Sequence, residues 1–315
     1  PIIEHYELLA AKIGEETRER MYVFEDLGGR KVALRPEFTA SIARLVATKM
    51  VSQPRPIRLF CTGSLYRYDE PQFGRYREFW QANYELIGAG RPEADAEIVA
   101  LTNEFLEGLE LHGYYFKVGH VGILRGILEE EGIREAEQNT VMQLLDKKNW
   151  DAALNLAGNL GASRRCRETL CELFETRGRE PGQVIRDILN IVKDYKLACQ
   201  AAGNLYDIVN LLSESRREID LLIEARFARG LEYYTGVIFE VYAPNIDVAL
   251  AGGGRYDRLI ELFGGEHTPA VGVALGIDRI MLVLAEKGVS KSALGEKRVL
   301  VVPLVDELKA KGFEV

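Results

Sequence analysis

The chain has 315 residues, and 40 Lys plus Arg against 48 Asp plus Glu leave a formal charge of −8. With 47% apolar residues it can bury one or two full cores, which excludes a disordered chain. Its longest apolar stretches, such as 269–277, break at Asp278 and Arg279, well short of the roughly 20 residues a membrane helix needs, so a soluble chain without membrane contact is expected. Cys61, Cys166, Cys171 and Cys199 form no CxxC pair, and no apolar leader is read ahead of the fold. Neither a zinc knuckle nor a secreted disulfide scaffold is therefore indicated, and a reducing, cytoplasmic setting is expected. The acidic balance argues against broad nonspecific nucleic-acid binding and leaves room for one local basic groove.

In chain order, residues 4–13 place Tyr6, Leu8, Leu9 and Ile13 at helical spacing ahead of Gly14, which predicts a short amphipathic helix with a glycine stop. Residues 21–24 and 31–34 flank EDLGGR and predict a hairpin. Pro36 is expected to open a helix running towards Met50. Two long strands, 57–68 and 77–87, follow, then a helix over 92–111 and a strand over 114–120. From 125 to 220 strand signals vanish and Leu, Ala, Glu, Arg and Lys recur at helical spacing, which predicts a helical insert; strand-and-glycine texture returns at Arg226 and persists to Leu275. Both ends read as incomplete. The chain opens at Pro1 in an extended apolar run, and the strand-like segments 298–304 and 312–315 are separated by too few residues for a helical crossover.

Four segments carry the chemistry. In residues 67–85 (RYDEPQFGRYREFWQANYE), strand parity puts Gln81, Asn83 and Glu85 on one face and Trp80, Ala82, Tyr84 and Leu86 on the other, the core face. A polar row is also what the wet side of any sheet shows. Arg67, Arg75 and Arg77, however, gather around the same hairpin loop, and their rigid donor forks suit phosphate. Residues 229–236 (RGLEYYTG) read either as an ordinary strand edge or as the tyrosine-rich wall of a small polar pocket. Residues 251–257 (AGGGRYD) read as a bulge or as bare backbone against a ligand; they are not GxGxxG, since Asp257 stands where the last Gly would. In residues 268–281, Arg279 falls in the first turn of a helix, where the macrodipole disfavours a cation by roughly 0.3 to 1 kcal/mol. Either neighbouring Asp278 or a bound phosphate would compensate.

Together these segments place Arg67, Arg75, Arg77, Arg229, Arg255 and Arg279 in the sheet-forming part of an acidic chain, which suggests a polyanionic small molecule such as a nucleotide. His5, His112, His120 and His267 are isolated from one another, so no metal site is expected, and no Ser/His/Asp or Cys/His constellation is readable. The remaining mechanism is positioning with electrostatic stabilisation.

The segment 67–85 resembles motif 2 of class II aminoacyl-tRNA synthetases in the spelling of histidyl-tRNA synthetases. RGLEYYTG and AGGGRYD resemble that family's two histidine-specific signatures, GIDRI (276–280) its motif 3, RPEFTAS (35–41) a further block, and residues 1–4 the tail of motif 1. The resemblance implies an α+β fold: a class II antiparallel sheet flanked by helices, with an all-helical insert and the beginning of a C-terminal α/β domain. The corresponding segments are 1–124 and 221–290 for the catalytic domain, 125–220 for the insert, and 297–315 for a fragment of the anticodon-binding domain.

It further implies that L-histidine is activated with ATP and Mg²⁺ to histidyl-adenylate and passed to tRNA(His), in a homodimer. Arg67 would then grip the α-phosphate, Arg279 the far phosphates beside adenine with Gly276 nearby, and Arg229 the α-phosphate during attack by the histidine carboxylate. Arg75 would assist on the phosphates, and Asp69 stands where the family usually has a Glu on adenine. Glu85 and Tyr234 would hold the imidazole with Tyr233 and Gly253 beside them, and Glu37, Thr39 and Gln81 the α-amino group. A carboxylate and a tyrosine meeting both ring nitrogens would reject isosteres lacking them. The rival expectation is a synthetase-like regulatory subunit of a histidine-biosynthesis transferase, against which Arg67, Arg229 and Arg279 together argue.

Overall fold

The computed structural model describes residues 1–10, 13–70, 72, 74–215, 218–229, 232–244, 246 and 248–286. The expected C-terminal fragment 297–315, with its strand readings at 298–304 and 312–315, lies outside them, as do residues 287–290 of the second catalytic segment. The chain opens with β1 (Ile3–His5), α1 (Tyr6–Ala10), α2 (Glu15–Glu19), β2 (Val23–Glu25) and β3 (Lys31–Leu34), then α3 (Thr39–Lys49). The long hairpin β4 (Ile57–Tyr66) and β5 (Glu78–Ile87) leads to α4 (Pro92–Gly108) and β6 (Tyr115–His120). A helical stretch follows: α5 (Val121–Glu130), α6 (Glu135–Asp146), α7 (Trp150–Asn159), α8 (Arg164–Glu175), the two-residue β7 (Arg177–Gly178), α9 (Pro181–Ile191) and α10 (Lys196–Glu214). The chain then returns through β8 (Leu221–Glu224), β9 (Val237–Tyr242), β10 (Ala251–Arg255), β11 (Ala270–Gly276) and α11 (Ile277–Glu286).

Among the described residues, eight strands form one sheet in the order β4-β5-β11-β10-β9-β6-β8-β7, antiparallel except where β6 meets β8. That parallel pair explains the position of the helices, because adjacent parallel strands need a long crossover and α5 to α10 supply it. The helices pack on the sheet: Phe116 and Phe239 of its strands belong to the same apolar cluster as Leu106, Ile127, Leu205 and Ile208. A second sheet, β1-β3-β2, sits at the N-terminus over a small cluster of Leu9, Met21 and Ala33.

The α+β class and the mainly antiparallel sheet agree with the reading of the sequence, and four local readings change. Glu4 and His5 extend the strand at Ile3 and pair with β3 instead of opening the first helix, and Glu4 is buried against Arg44 at 2.7 Å. The helix after Pro36 starts three residues later, at Thr39, because Glu37 accepts the N–H groups of Thr39 (3.0 Å) and Ala40 (2.7 Å) and caps it. Strand β8 begins at Leu221, ahead of the expected return at Arg226, and β7 pairs with it from inside the helical stretch. The glycine run is neither a bulge nor a turn. Gly252, Gly253 and Gly254 keep unbroken register with β9 and β11.

Arg255 at the end of that run is buried and bonds Asp95 of α4 through Nε at 2.9 Å and Asp257 through Nη1 at 3.0 Å. It ties α4 to the sheet and does not reach a ligand site. Removing one partner of a buried pair leaves the other charge uncompensated. Asp95→Ala is therefore expected to cost about 3 kcal/mol, the low end for such pairs because Asp257 remains. Urea unfolding of the variant checks this, and a loss below about 1 kcal/mol would contradict it.

Candidate active site

The polar row of β5 is buried at Asn83 and Glu85 instead of forming a wet side, while the opposite face is core at Leu86 (1% exposed) but not at Trp80. Asn83 and Glu85 are each 2% exposed, whereas Trp80, expected in the core, is 50% exposed. The cover on that other face is partial: Tyr84 packs on Phe105 of α4 at 6.3 Å, beyond which the strand runs out towards its hairpin. Glu85 lies across from Gly272 of β11 and extends over it; a Cβ at 272 would overlap Glu85 Oε2. Tyr256 donates to Glu85 Oε2 at 2.6 Å, and Thr39 (3.2 Å) and Asn83 (3.3 Å) donate to Oε1. Burial pushes the Glu85 carboxyl up to about 7 against the opposing pull of the Tyr256 and Asn83 bonds. Burial also raises Glu37, whose oxygens cap α3 and face the Tyr233 hydroxyl at 3.5 Å.

One cavity of about 360 Å³ joins this floor to the arginines. Its wall includes Glu37, Thr39, Arg67, Asp69, Arg75, Gln81, Glu85, Arg229, Tyr233, Tyr234, Gly276 and Arg279. Each arginine is aimed by neighbours of its own. Arg67 donates to Pro36 O at 2.9 Å, with its guanidinium 5.2 Å from the Phe79 ring centre. Arg279 donates to Gly74 O (2.9 Å) and Ala249 O (2.7 Å), which hold it across the hairpin loop. Burial, then Arg75, then Arg67 lower its pKa, so these cations repel one another as they stand. Neighbouring Asp278 does not answer the charge; it accepts the Trp80 N–H at 2.6 Å.

Arg229 lies over the Tyr234 ring at 5.6 Å and 3.5 Å from Glu240. Burial opposes its charge, and Tyr234 and Glu240 more than offset it, leaving the guanidinium more basic than usual. Gly252 gives it room, since a Cβ there would overlap the guanidinium. The bare backbone of the glycine run is thus approached by the chain's own arginine.

Three sequence-predicted residues stand differently from expectation. Gly253 does not line the cavity; Gly252 and Gly254 do, and a Cβ at 253 would meet Gly272 O and the Phe239 ring instead. Arg77 covers the Tyr68 ring at 4.2 Å and joins Arg255 outside the cavity wall. Asp69 lines the cavity with its carboxylate already bonded to Arg20 at 2.7 Å. Reading the sequence missed Tyr256, Glu240, Gly272 and Asp146. Glu240 had a signal, as the lone charge in the apolar strand VIFEVY; Asp146, at the end of α6, had none. His120 is a helix cap, accepting Gly122 N–H at 3.1 Å and facing Asn204 at 3.2 Å, and burial lowers it to about 4.

The raised Glu85 pKa has a consequence for stability. Between the ordinary carboxylate value of 4.5 and about 7, the folded chain keeps a proton that the unfolded chain has released. Stability of the ligand-free chain therefore falls as pH rises through that window, by roughly 3 kcal/mol at most. Glu85→Gln is expected to melt above the parent at pH 8, with the gap closing towards pH 5. Equal thermal midpoints at pH 8 would contradict the assignment.

A family model described as histidyl-tRNA synthetase matches residues 1–280. The histidine–tRNA ligase of Methanocaldococcus jannaschii is 39% identical over 305 residues, 96% of this chain and 70% of that protein. The histidine–tRNA ligase of Sulfolobus acidocaldarius is 39% identical over 307 residues, covering 97% and 70%. Among solved structures, an ATP phosphoribosyltransferase regulatory subunit/histidyl-tRNA synthetase from Bacillus halodurans aligns with a TM-score of 0.81 at 26% identity, over 99% of this chain and 86% of that one. The histidyl-tRNA synthetase from Nostoc shares the fold, with a TM-score of 0.74 at 19% identity over 100% and 73%. On the sequence match over nearly its whole length, the chain belongs to the histidyl-tRNA synthetase family.

Proposed function

We propose that the cavity binds L-histidine and ATP side by side and that Arg67, Arg229 and Arg279 stabilise the phosphate charge while histidyl-adenylate forms. The chain is an aminoacyl-tRNA ligase with histidine, ATP and tRNA as substrates, as its family is. The observation that carries the site reading is convergence: guanidiniums from β4's end, the 229 segment and α11 line one wall, and a buried carboxylate lies on the adjoining floor.

The histidine carboxylate attacks the α-phosphorus, the bond to the bridging oxygen breaks, and pyrophosphate leaves with that electron pair. Arg229 faces the charge that grows on the α-phosphate, Arg67 grips the same phosphate, and Arg75 and Arg279 hold the far phosphates. Fixed donors of this kind need no reorganisation at the moment of reaction. Glu85 and Tyr234 take the imidazole, with Tyr233 beside them, and Glu37, Thr39 and Gln81 the α-amino group. Asp69 and Gly276 border the nucleotide. Mg²⁺ enters with ATP as part of the substrate. Transfer to tRNA(His) in the cytoplasm completes the reading.

A homodimer belongs to the same proposal. The small N-terminal sheet leaves Ile2, Ile3, Val23 and Phe24 exposed, an apolar surface suited to a second copy. Among the described residues no helix is long and apolar enough to cross a membrane. For the regulatory reading there is the Bacillus halodurans structure named for both roles, at 26% identity, and for the ligase reading relatives at 39%.

Histidine-dependent exchange of pyrophosphate into ATP tests the assignment: the chain is expected to catalyse it, and a regulatory protein would not. Arg229→Ala should lower the exchange kcat at least about 10²-fold while histidine affinity by calorimetry stays within a few-fold. An equal loss of histidine affinity would contradict the role given to Arg229.

A further inference from the structure

Tyr233 and Tyr234 are buried and packed, Tyr233 against the rings of Tyr234 (4.9 Å) and Tyr256 (5.9 Å). They also separate two cavities: the 360 Å³ substrate cavity in front, and behind it one of about 650 Å³ whose lining includes Arg125, Gln138, Glu232 and Arg258. Polar contacts on either side of the pair add to this packing. Downstream, Thr235 fixes the segment through its N–H to Arg255 O (2.8 Å) and by accepting Asp257 N–H at 3.0 Å. Upstream, Glu232 reaches α6, where its two carboxylate oxygens accept from Asn139 Nδ2 at 3.2 Å and Gln143 Nε2 at 3.3 Å. Arg125 of α5 donates to Asn139 Oδ1 at 2.8 Å, which fixes the orientation of that amide.

Asn139, Gln143 and Asp146 are spaced i, i+4, i+7, so they share one face of α6. The first two hold Glu232, and the third lines the substrate cavity. We infer that Glu232, clamped by Asn139 and Gln143, is a positioning residue that aims the adjoining Tyr233 and Tyr234 at the substrates and makes α6 of the helical stretch part of the activation machinery. The inference rests on the adenylate-forming activity above. Its physical basis is that small displacements of groups acting on a transition state cost rate steeply, about 10²-fold for 1 Å.

The polarity of the clamp supplies the test. Asn139→Asp sets a carboxylate against Glu232. Glu232→Gln alone is mild, because Gln143 can turn its amide to match. When both substitutions are combined, the amide introduced at position 232 donates to the carboxylate introduced at position 139, and the pair is restored with donor and acceptor exchanged. Histidine-dependent pyrophosphate exchange well below the melting temperature should show kcat down about 10-fold or more in Asn139→Asp and within about 3-fold of the parent in the double variant. A parent-like kcat in Asn139→Asp, or a double variant no faster than Asn139→Asp, overturns the inference. A purely structural contact would lower thermal midpoints without this pattern in kcat. If Asn139→Asp does not fold, Glu232→Ala serves, with a 10-fold lower kcat expected and an unchanged one contradictory. A parent chain without exchange activity would instead sink the reading on which the inference rests.

Discussion

Several guanidiniums are held close together, out of water, around a single cavity. Such an arrangement is unfavourable without an anion, and the chain eases it with backbone carbonyls for two of the cations and one carboxylate beside the third. Arg67 and Arg279 lean on backbone carbonyls, and Arg229 on a tyrosine face and a carboxylate 3.5 Å away. Where the fold wants a neutralised arginine it builds one differently, as at Arg255 with Asp95 and Asp257. The difference is one of degree: Arg255 has two bonded carboxylates and lies outside the cavity, whereas the arginines proposed to bind phosphate line it.

The opposite sign is managed by the same means on the cavity floor. Glu85 is deeply buried with three donors and no cation among its bonded partners, and its carboxyl is pushed up to about 7. Under the proposed function it accepts from a ring N–H, and keeping it there costs folding stability, a trade common at functional sites. Glycine makes both treatments possible: Gly272 leaves room for Glu85 and Gly252 for Arg229. Any side chain at either position would displace a charged group from the cavity.

Much of this was legible in the residues. Strand parity placed Gln81, Asn83 and Glu85 on one face, and the hairpin arginines and Arg229 stood out in an acidic chain. Parity could not say that the polar face of β5 is buried too, because that depends on β11 and Tyr256 arriving from far along the chain. Arg255 and Arg77 looked equivalent to Arg67 in sequence, and only the placement of Asp95 and Tyr68 tells them apart. The part played by α6 was invisible for the same reason. The spacing of Asn139, Gln143 and Asp146 describes a polar helix face, and nothing local records that Glu232 faces it.

The most direct measurement is a crystal structure of the chain with L-histidine and a non-hydrolysable ATP analogue. The phosphates are expected within about 3 Å of the Arg67, Arg229 and Arg279 guanidiniums, and the imidazole bonded to Glu85 and Tyr234. A triphosphate bound elsewhere, or a histidine side chain turned away from Glu85, would contradict this placement.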